Sequence, residues 1–334
     1  MFKLKMVLNL FVLLILLGGQ PVRGQIDARE KVIEFMRSAD MGNKLDAPVR
    51  ISVADSGIIS ITDEGEFITQ HLVMQPELSA DVEVIKESDF KIPPACTKAV
   101  IVTHGWLDKG AESWSADIAT AISQRVDPNE WVCGFFDWAG GASVVRPVDS
   151  ARYARDVAGA RLAKAVLVLG AEFEHIHLIA HSAGCWAINE AAEKIADQTG
   201  AMIHLTFLDA YVPPFWKGND LGKIEASGWA EHYYTKDFTL AATHINLSEA
   251  HNVDITGIDG FVKDHKFPYR WYYATVAGNY RPTDREKEQE VVTNTSGINY
   301  GFDRSLEAGE RNWQKSLALK RGQKAVLLRK SKKK

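Results

Sequence analysis

The chain is poor in cysteine. Three thiols in 334 residues, Cys96, Cys133 and Cys185, cannot all pair, which excludes a small disulfide-stapled scaffold and leaves room for one bridge, Cys96 with Cys133. Cys185 falls on an expected buried helix and reads as an inert core thiol. Long apolar runs are scarce as well. The N-terminal run from Met6 to Leu17, broken at Asn9, is shorter than the ~18–20 residues a membrane-spanning helix needs. It follows Lys3 and Lys5 and precedes Gly18, Gly19 and Pro21, with Val22 and Gly24 at positions −3 and −1 of a cut before Gln25. Charged start, short apolar stretch and small-residue site are the parts of a secretory leader, so residues 1–24 are expected to be removed after Gly24 and the protein exported. Losing that leader takes away Lys3, Lys5 and Arg23 and moves the net charge from −4 to −7. A main body of that sign has no use for nucleic acid or another polyanion.

No Gly/Ser/Pro-rich linker divides the middle and no internal repeat is evident, so residues 25–280 are expected to form one large domain. After a short polar helix at Ala28–Ala39, strand-like runs Val49–Val53, Ile58–Ile61, Phe67–Val73 and Val82–Ile85 are separated by turn signals and predict an antiparallel N-terminal edge. From Lys98 the texture changes. Apolar strands at Ala99–Val102, Trp131–Phe136, Ile176–Ala180 and Ile203–Leu208 alternate with helical patterns at Ser115–Val126, Ala151–Leu169 and Ala183–Ile195. That alternation predicts a mostly parallel central sheet with helices on both faces. Acids are missing from the last 20 residues, which hold nine Lys or Arg. Residues 281–334 therefore read as a charged extension whose basic tail is solvated and partly disordered. A second reading gives that tail weak contact with anionic surfaces.

Chemistry concentrates in Ile179-Ala180-His181-Ser182-Ala183-Gly184. A serine hydroxyl is a poor nucleophile unless a base takes its proton and the side chain stands clear of the backbone. A strand–Ser–helix elbow meets both needs but forces a tight turn, so the residues two before and two after must be small; here they are Ala180 and Gly184. The plain alternative for Ser182 is an ordinary helix N-cap. In an α/β-hydrolase fold the acid and then the base follow the serine in the chain. Asp209 ends the strand Ile203–Leu208, at the sheet edge where the elbow must also lie. Of the downstream histidines, His265 sits in a loop before the aromatic segment Phe267–Tyr273 and is the preferred base. His251 is the runner-up, and His232, ahead of Tyr233-Tyr234, fits a packed structural role. An oxyanion needs two backbone N–H groups, one from Ala183 and one from an earlier strand-to-helix loop, Thr103-His104-Gly105-Trp106, where Trp106 would donate.

These segments resemble the pancreatic lipase family over about residues 98–275. Val100–Trp114 looks like that family's His-Gly loop, and Phe135-Phe136-Asp137-Trp138 like its Val-Asp-Trp strand end. Ala180–Gly184 is similar to its Gly-His-Ser-Leu-Gly elbow and Leu208-Asp209-Ala210 to its Leu-Asp-Pro-Ala segment. Asp264-His265 with Tyr269–Tyr273 resembles its His-x-Arg-x-x-Tyr-Tyr stretch. The resemblance implies the triad Ser182, Asp209, His265 and the donors Trp106 and Ala183. Ala180 and Ala210 depart from its Gly and Pro, no counterpart of the vertebrate β-sandwich domain is expected in these residues, and its calcium loop is not recognisable in Phe215–Trp229. Only 55 residues separate Asp209 from His265, so a long lid is not expected.

The expected reaction is hydrolysis of a lipid ester through an acyl-enzyme, with no cofactor and no metal. A lid expected to be absent or short moves the expected substrate from fat droplets toward phospholipid or a smaller ester. Tyr211, Phe215 and Trp216 are candidates for an apolar acyl cleft beside Trp106, with core packing as the alternative for Phe215 and Trp216. Two other functions remain open: a non-lipid carboxylesterase or thioesterase, and a lipase-like protein that binds without catalysis.

Overall fold

Strands that are apolar on both faces need cover on both faces, and four such strands next to one another make the centre of this fold. The structure, a computed structural model, describes residues 46–66, 81–108, 114–169, 172–224, 228–236, 242–258, 265–282, 291–293, 301–302 and 316–320. In chain order the strands are β1 (Val49–Val53), β2 (Ile59–Asp63), β3 (Val84–Lys86), β4 (Lys98–Thr103), β5 (Trp131–Asp137), β6 (His175–His181), β7 (Met202–Leu208), β8 (Gly228–Tyr234), β9 (His251–Gly257), β10 (Asn279–Tyr280), β11 (Val292–Thr293) and β12 (Ser316–Lys320). Ten of them form one sheet in the order β12-β9-β8-β7-β6-β4-β5-β2-β1-β3. Every neighbouring pair from β12 to β2 is parallel. The antiparallel edge expected from the turn signals is the β1–β2 pair, whereas β3 joins β1 in parallel. Turn residues report a local reversal and not which strand receives the next run. The leader, the expected helix Ala28–Ala39 and the expected strand Phe67–Val73 lie outside the described residues.

The helices are α1 (Trp114–Ser123), α2 (Ala139–Ala142), α3 (Pro147–Tyr153), α4 (Gly159–Val168), α5 (Gly184–Ala196) and α6 (Phe267–Ala277). Along β6 every residue is buried, and alternation splits its side chains between two apolar clusters. Ile176, Leu178 and Ala180 pack with Leu162 and Val166 of α4 and Trp186 and Ile188 of α5. On the other face, Ile179 packs with Ile118 and Ile122 of α1 and with Trp271 and Tyr272 of α6. The long helix expected over Ala151–Leu169 is in fact α3 and α4 joined by a π-helical turn, Ala154–Ala158. Beyond that turn α4 crosses α5 closely: a Cβ at Gly159 would lie 2.7 Å from the Ala187 carbonyl.

Two differences concern the sequence expectations. Cys96 and Cys133 are both free and buried; the Cys96 thiol points at the carbonyls of Pro128 and Asn129, and burial pushes the Cys133 thiol up to about 12. The C-terminal extension is more than a solvated tail. Its residues form β11, contribute the buried Phe302 and supply β12 at the sheet edge. Mean charge over residues 281–334 conceals these short stretches. The rest of the basic tail lies outside the described residues, and among those described no helix is long and apolar enough to cross a membrane.

One buried charge pair ties the N-terminal edge to the helical layer. Asp63, at the end of β2, and Arg161 of α4 are both fully enclosed and bonded to each other. Asp63 also accepts the Gly65 N–H at 2.8 Å and the Tyr153 hydroxyl at 2.9 Å. Removing one member of such a pair strands the other charge. Asp63→Ala is expected to destabilise the fold by about 3–5 kcal/mol, measured by chemical denaturation. Unchanged stability would show that the pair contributes nothing.

Buried histidines make stability depend on pH. Burial pushes His175 down to about 4, with the Lys98 charge adding to the effect, and burial also takes His232 down to about 4. Both are neutral in the fold, while in the unfolded chain they titrate near ~6.5. Between pH ~6.5 and ~4 the unfolded chain therefore binds protons that the folded one refuses. Stability is expected to fall as pH falls through that window, by up to about 1.4 kcal/mol per pH unit for each histidine. Unfolding free energies from pH 7 to 4 should show this slope, and His175→Phe should flatten it by one proton. An unchanged slope in the variant would mean His175 is not held neutral.

Candidate active site

Because β4, β6, β7 and β8 are parallel and in register, their carboxyl ends finish together: Thr103 pairs with Ala180, His181 with Leu208, and Leu208 with Tyr233. The residues that follow, His104, Ser182 and Asp209, are thereby brought to one edge of the sheet. Ser182 stands between β6 and α5 with φ 55°, and Asp209 follows β7 with φ 49°. Left-handed backbone at residues other than glycine costs about 1–3 kcal/mol and persists only where the surroundings over-determine it. They do so here. The Ser182 N–H donates to the Leu208 carbonyl at 3.0 Å, and its own carbonyl accepts the N–H groups of Cys185 and Tyr211 at 3.2 and 3.3 Å. The Asp209 N–H donates to the Tyr233 carbonyl at 2.8 Å.

Ser182 does not cap α5; the N-cap position is Ala183, without a side-chain cap. Its Oγ lies instead 2.8 Å from His265 Nε2, and His265 Nδ1 lies 2.6 Å from Asp209 Oδ2. With the serine hydroxyl donating to Nε2, the ring proton belongs on Nδ1, from which it donates to the carboxylate. The other Asp209 oxygen accepts the Thr235 N–H at 2.9 Å. Asp209 is fully buried, and the His265 side chain keeps a partial opening to solvent. His265 occupies the turn just before α6, whose first turn carries Pro268. His251, the alternative base, lies at the start of β9 in register with Glu231, away from Ser182. His232 is structural as expected. Its Nε2 accepts the Ala210 N–H at 3.2 Å while its Nδ1–H donates to Asn252 Oδ1 at 3.2 Å, so it steadies the residue next to Asp209.

The loop after β4 comes very close to the serine. A Cβ at Gly105 would sit 2.8 Å from Ser182 Cβ and 2.9 Å from the His181 carbonyl, and one at Gly184 would sit 2.2 Å from the His104 carbonyl. Gly105 is thus needed for the loop to reach Ser182 itself, which spacing alone did not reveal. The His104 ring anchors this loop: its Nε2 accepts the Trp138 N–H at 3.1 Å and its Nδ1–H donates to the Gly105 carbonyl at 3.1 Å. Trp106 is fixed through its indole N–H on the Val144 carbonyl at 2.6 Å. Among the described residues the backbone N–H groups of Trp106 and Ala183 donate to no protein acceptor.

Of the three cleft candidates, Phe215 fits neither expected reading and Trp216 takes the packing alternative. Tyr211 is buried directly after Ala210, with its phenol pushed up by burial. Phe215 has φ 72° and is 104% exposed, so it forms no cleft wall. Trp216 packs edge-on against Trp186 at 4.6 Å and lies under the Arg155 guanidinium at 4.1 Å, which is a packing role. The Pro213-Pro214 pair sends the chain outward before Phe215, a turn whose direction composition does not give.

One trio has metal-ligand chemistry among the described residues: His177, His204 and Glu231, all buried, with one donor atom each within 4.8 Å of the others. The His177 and His204 rings stack at 3.7 Å with planes 7° apart. A metal lies in the plane of each imidazole that binds it, about 2.0–2.1 Å from the nitrogen, and two parallel planes so far apart cannot share one ion. The Thr206 hydroxyl fills the space between, 2.8 Å from His177 Nε2 and donating to Glu231 Oε1 at 2.8 Å. The trio is a hydrogen-bonded network beneath the site.

Comparison with known proteins agrees with this architecture. The sequence profile of the Lipase family matches residues 58–227, just over half of the chain. Pancreatic triacylglycerol lipase of Cavia porcellus is 31% identical over 154 residues, 45% of this chain and 31% of the relative. Pancreatic lipase-related protein 2 of Rattus norvegicus is 30% identical over 141 residues, 41% of this chain and 28% of the relative. The aligned stretch thus spans about a third of the length of these curated relatives. Its parallel sheet, its Ser182 elbow between β6 and α5 and this matched span together identify the chain as a member of the lipase family, within the α/β hydrolases.

Proposed function

We propose that the protein is a secreted serine carboxylester hydrolase that acts on lipid esters. The observation that carries the reading is the continuous bonding from Ser182 Oγ through His265 to Asp209. In the proposed cycle His265 takes the serine proton as Oγ attacks the ester carbonyl, and Asp209 orients the ring and stabilises the imidazolium. The N–H groups of Trp106 and Ala183 hold the developing oxyanion, each worth about 3 kcal/mol. His265 then protonates the departing alcohol, and a water, activated by the same ring, releases the acid. Export rests on the leader-like residues 1–24.

A lipid rather than a small soluble ester is favoured by what surrounds the site. Among the described residues, the exposed large apolar side chains include Leu107, Val145, Phe215 and Ile245. Leu107, Val145 and Phe215 lie on the segments that follow β4, β5 and β7, whose carboxyl ends share the edge that bears Ser182. Apolar groups held in water on segments at that edge suit a substrate presented in a micelle or bilayer.

The first test is labelling with a fluorophosphonate. The parent should label and Ser182→Ala should not, and Asp209→Asn should lower kcat about 10⁴-fold, the size of effect expected when the base is held in the wrong tautomer. A chain that does not label, with Ser182→Ala indistinguishable from the parent, would leave a binding protein. The second test separates lipid from soluble ester. Phe215→Ser should lower hydrolysis of a micellar long-chain ester several-fold more than that of a soluble short-chain p-nitrophenyl ester. Equal effects on both, with preference for the short ester, would favour a non-lipid carboxylesterase.

A further inference from the structure

The residue that ends β6 does something the proposed cycle leaves unused. His181 precedes Ser182, and strand alternation sends its side chain to the face covered by α1 and α6, under the turn that carries His265. Its Nε2 lies 2.8 Å from the His265 backbone carbonyl. A carbonyl only accepts, so the ring proton is on Nε2. The two imidazoles are in contact, with centroids 4.4 Å apart and planes tilted by 40°. Two further rings fix the His181 plane: Trp114 of α1 meets it edge-on at 5.8 Å and Tyr269 of α6 at 5.1 Å, and these two stack on each other at 4.4 Å. His181 is buried and stays neutral. Burial pushes it down to about 3, a charge on His265 lowers it further, and Asp108 opposes that drop.

We infer that His181 is a positioning residue for His265, tethering the backbone of the base to the residue beside the nucleophile. The inference rests on the triad reading above. The bond runs from the side chain of the residue before Ser182 to the backbone carbonyl of His265, so the backbones that carry the two reacting side chains are linked through one imidazole and one hydrogen bond. Their 2.8 Å separation then does not depend on how far the intervening chain relaxes. Neutrality suits the role: a cationic ring against His265 would repel the imidazolium that forms during the cycle, while a neutral one keeps the N–H and adds no charge. Displacing a reacting group by about 1 Å costs on the order of 10²-fold in rate.

Two substitutions of similar length isolate the N–H. His181→Gln keeps a donor near the Nε2 position, and His181→Met removes it. His181→Phe removes it while keeping the ring contacts with Trp114 and Tyr269. His181→Met and His181→Phe are expected to lower kcat and the fluorophosphonate labelling rate about 10- to 100-fold, with KM within about twofold, and His181→Gln to recover most of that loss. Thermal melts of all three establish which are folded, and the comparison is made between folded variants. Equal kcat in His181→Gln and a folded donor-less variant, or a loss that falls on KM alone, would overturn the positioning role while leaving the triad intact. A parent chain that does not label would overturn both readings together.

Discussion

The backbone of Ser182 is the constraint on which the site depends. A parallel strand that is buried throughout ends at His181, and the chain must reverse into α5 within two residues. It does so with Ser182 in the left-handed region, which lifts the side chain off the strand axis. Such a turn survives only if neighbours take up every polar group it exposes and no neighbour has bulk where the chain doubles back. Leu208, Cys185 and Tyr211 meet the first condition through backbone bonds. Gly105 and Gly184 meet the second, since a Cβ at either would strike the serine or the adjoining loop. The same close approach that permits the strain brings the loop bearing Trp106 against Ser182, so the strained turn and the proposed oxyanion donors are consequences of one packing arrangement.

Proton chemistry is confined by burial. His181 and His232 are pushed down to about 3 and about 4, so neither takes up a proton near neutrality, and each uses its fixed tautomer to hold a piece of backbone: the carbonyl of His265 and the N–H of Ala210. His265 differs in keeping part of its side chain open to solvent and in having a buried carboxylate on Nδ1. Three imidazoles of identical intrinsic chemistry are thus separated into two props and one proposed base by exposure and by which nitrogen meets a donor or an acceptor.

What the sequence disclosed follows the range of the physics involved. Strand periodicity, the small residues flanking Ser182 and the position of Asp209 at the end of an apolar run are local, and they were enough to anticipate β6, β7, α5 and the parallel sheet. His265 was legible for a similar reason, as a polar residue directly ahead of the aromatic helix α6. The tertiary contacts were not legible. That Gly105 serves contact with Ser182, and that His181 reaches His265, depends on where β4 and α6 dock, which no short window encodes. Phe215 departs from both of its readings because an aromatic residue after two prolines reads the same whether it turns inward or outward. The C-terminal extension misled because averaging charge over many residues hides a five-residue strand.

Strain itself is distributed in a way that ties these observations together. Among the described residues, the non-glycine positions with positive φ are Leu107, Ser182, Asp209 and Phe215, and all four lie on segments that follow the carboxyl ends of β4, β6 and β7. At about 1–3 kcal/mol each, they concentrate the backbone strain of the described residues at this edge. Two of the four aim the serine and the carboxylate. The other two hold apolar side chains in water, 55% exposed at Leu107 and 104% at Phe215, where burial in the core would have been favourable. Phe215 stays fully in water, so the fold gains nothing from burying it. Covering Phe215 with something apolar would offset its exposure, and under the proposed function an apolar substrate assembly at the edge that bears Ser182 would supply that cover.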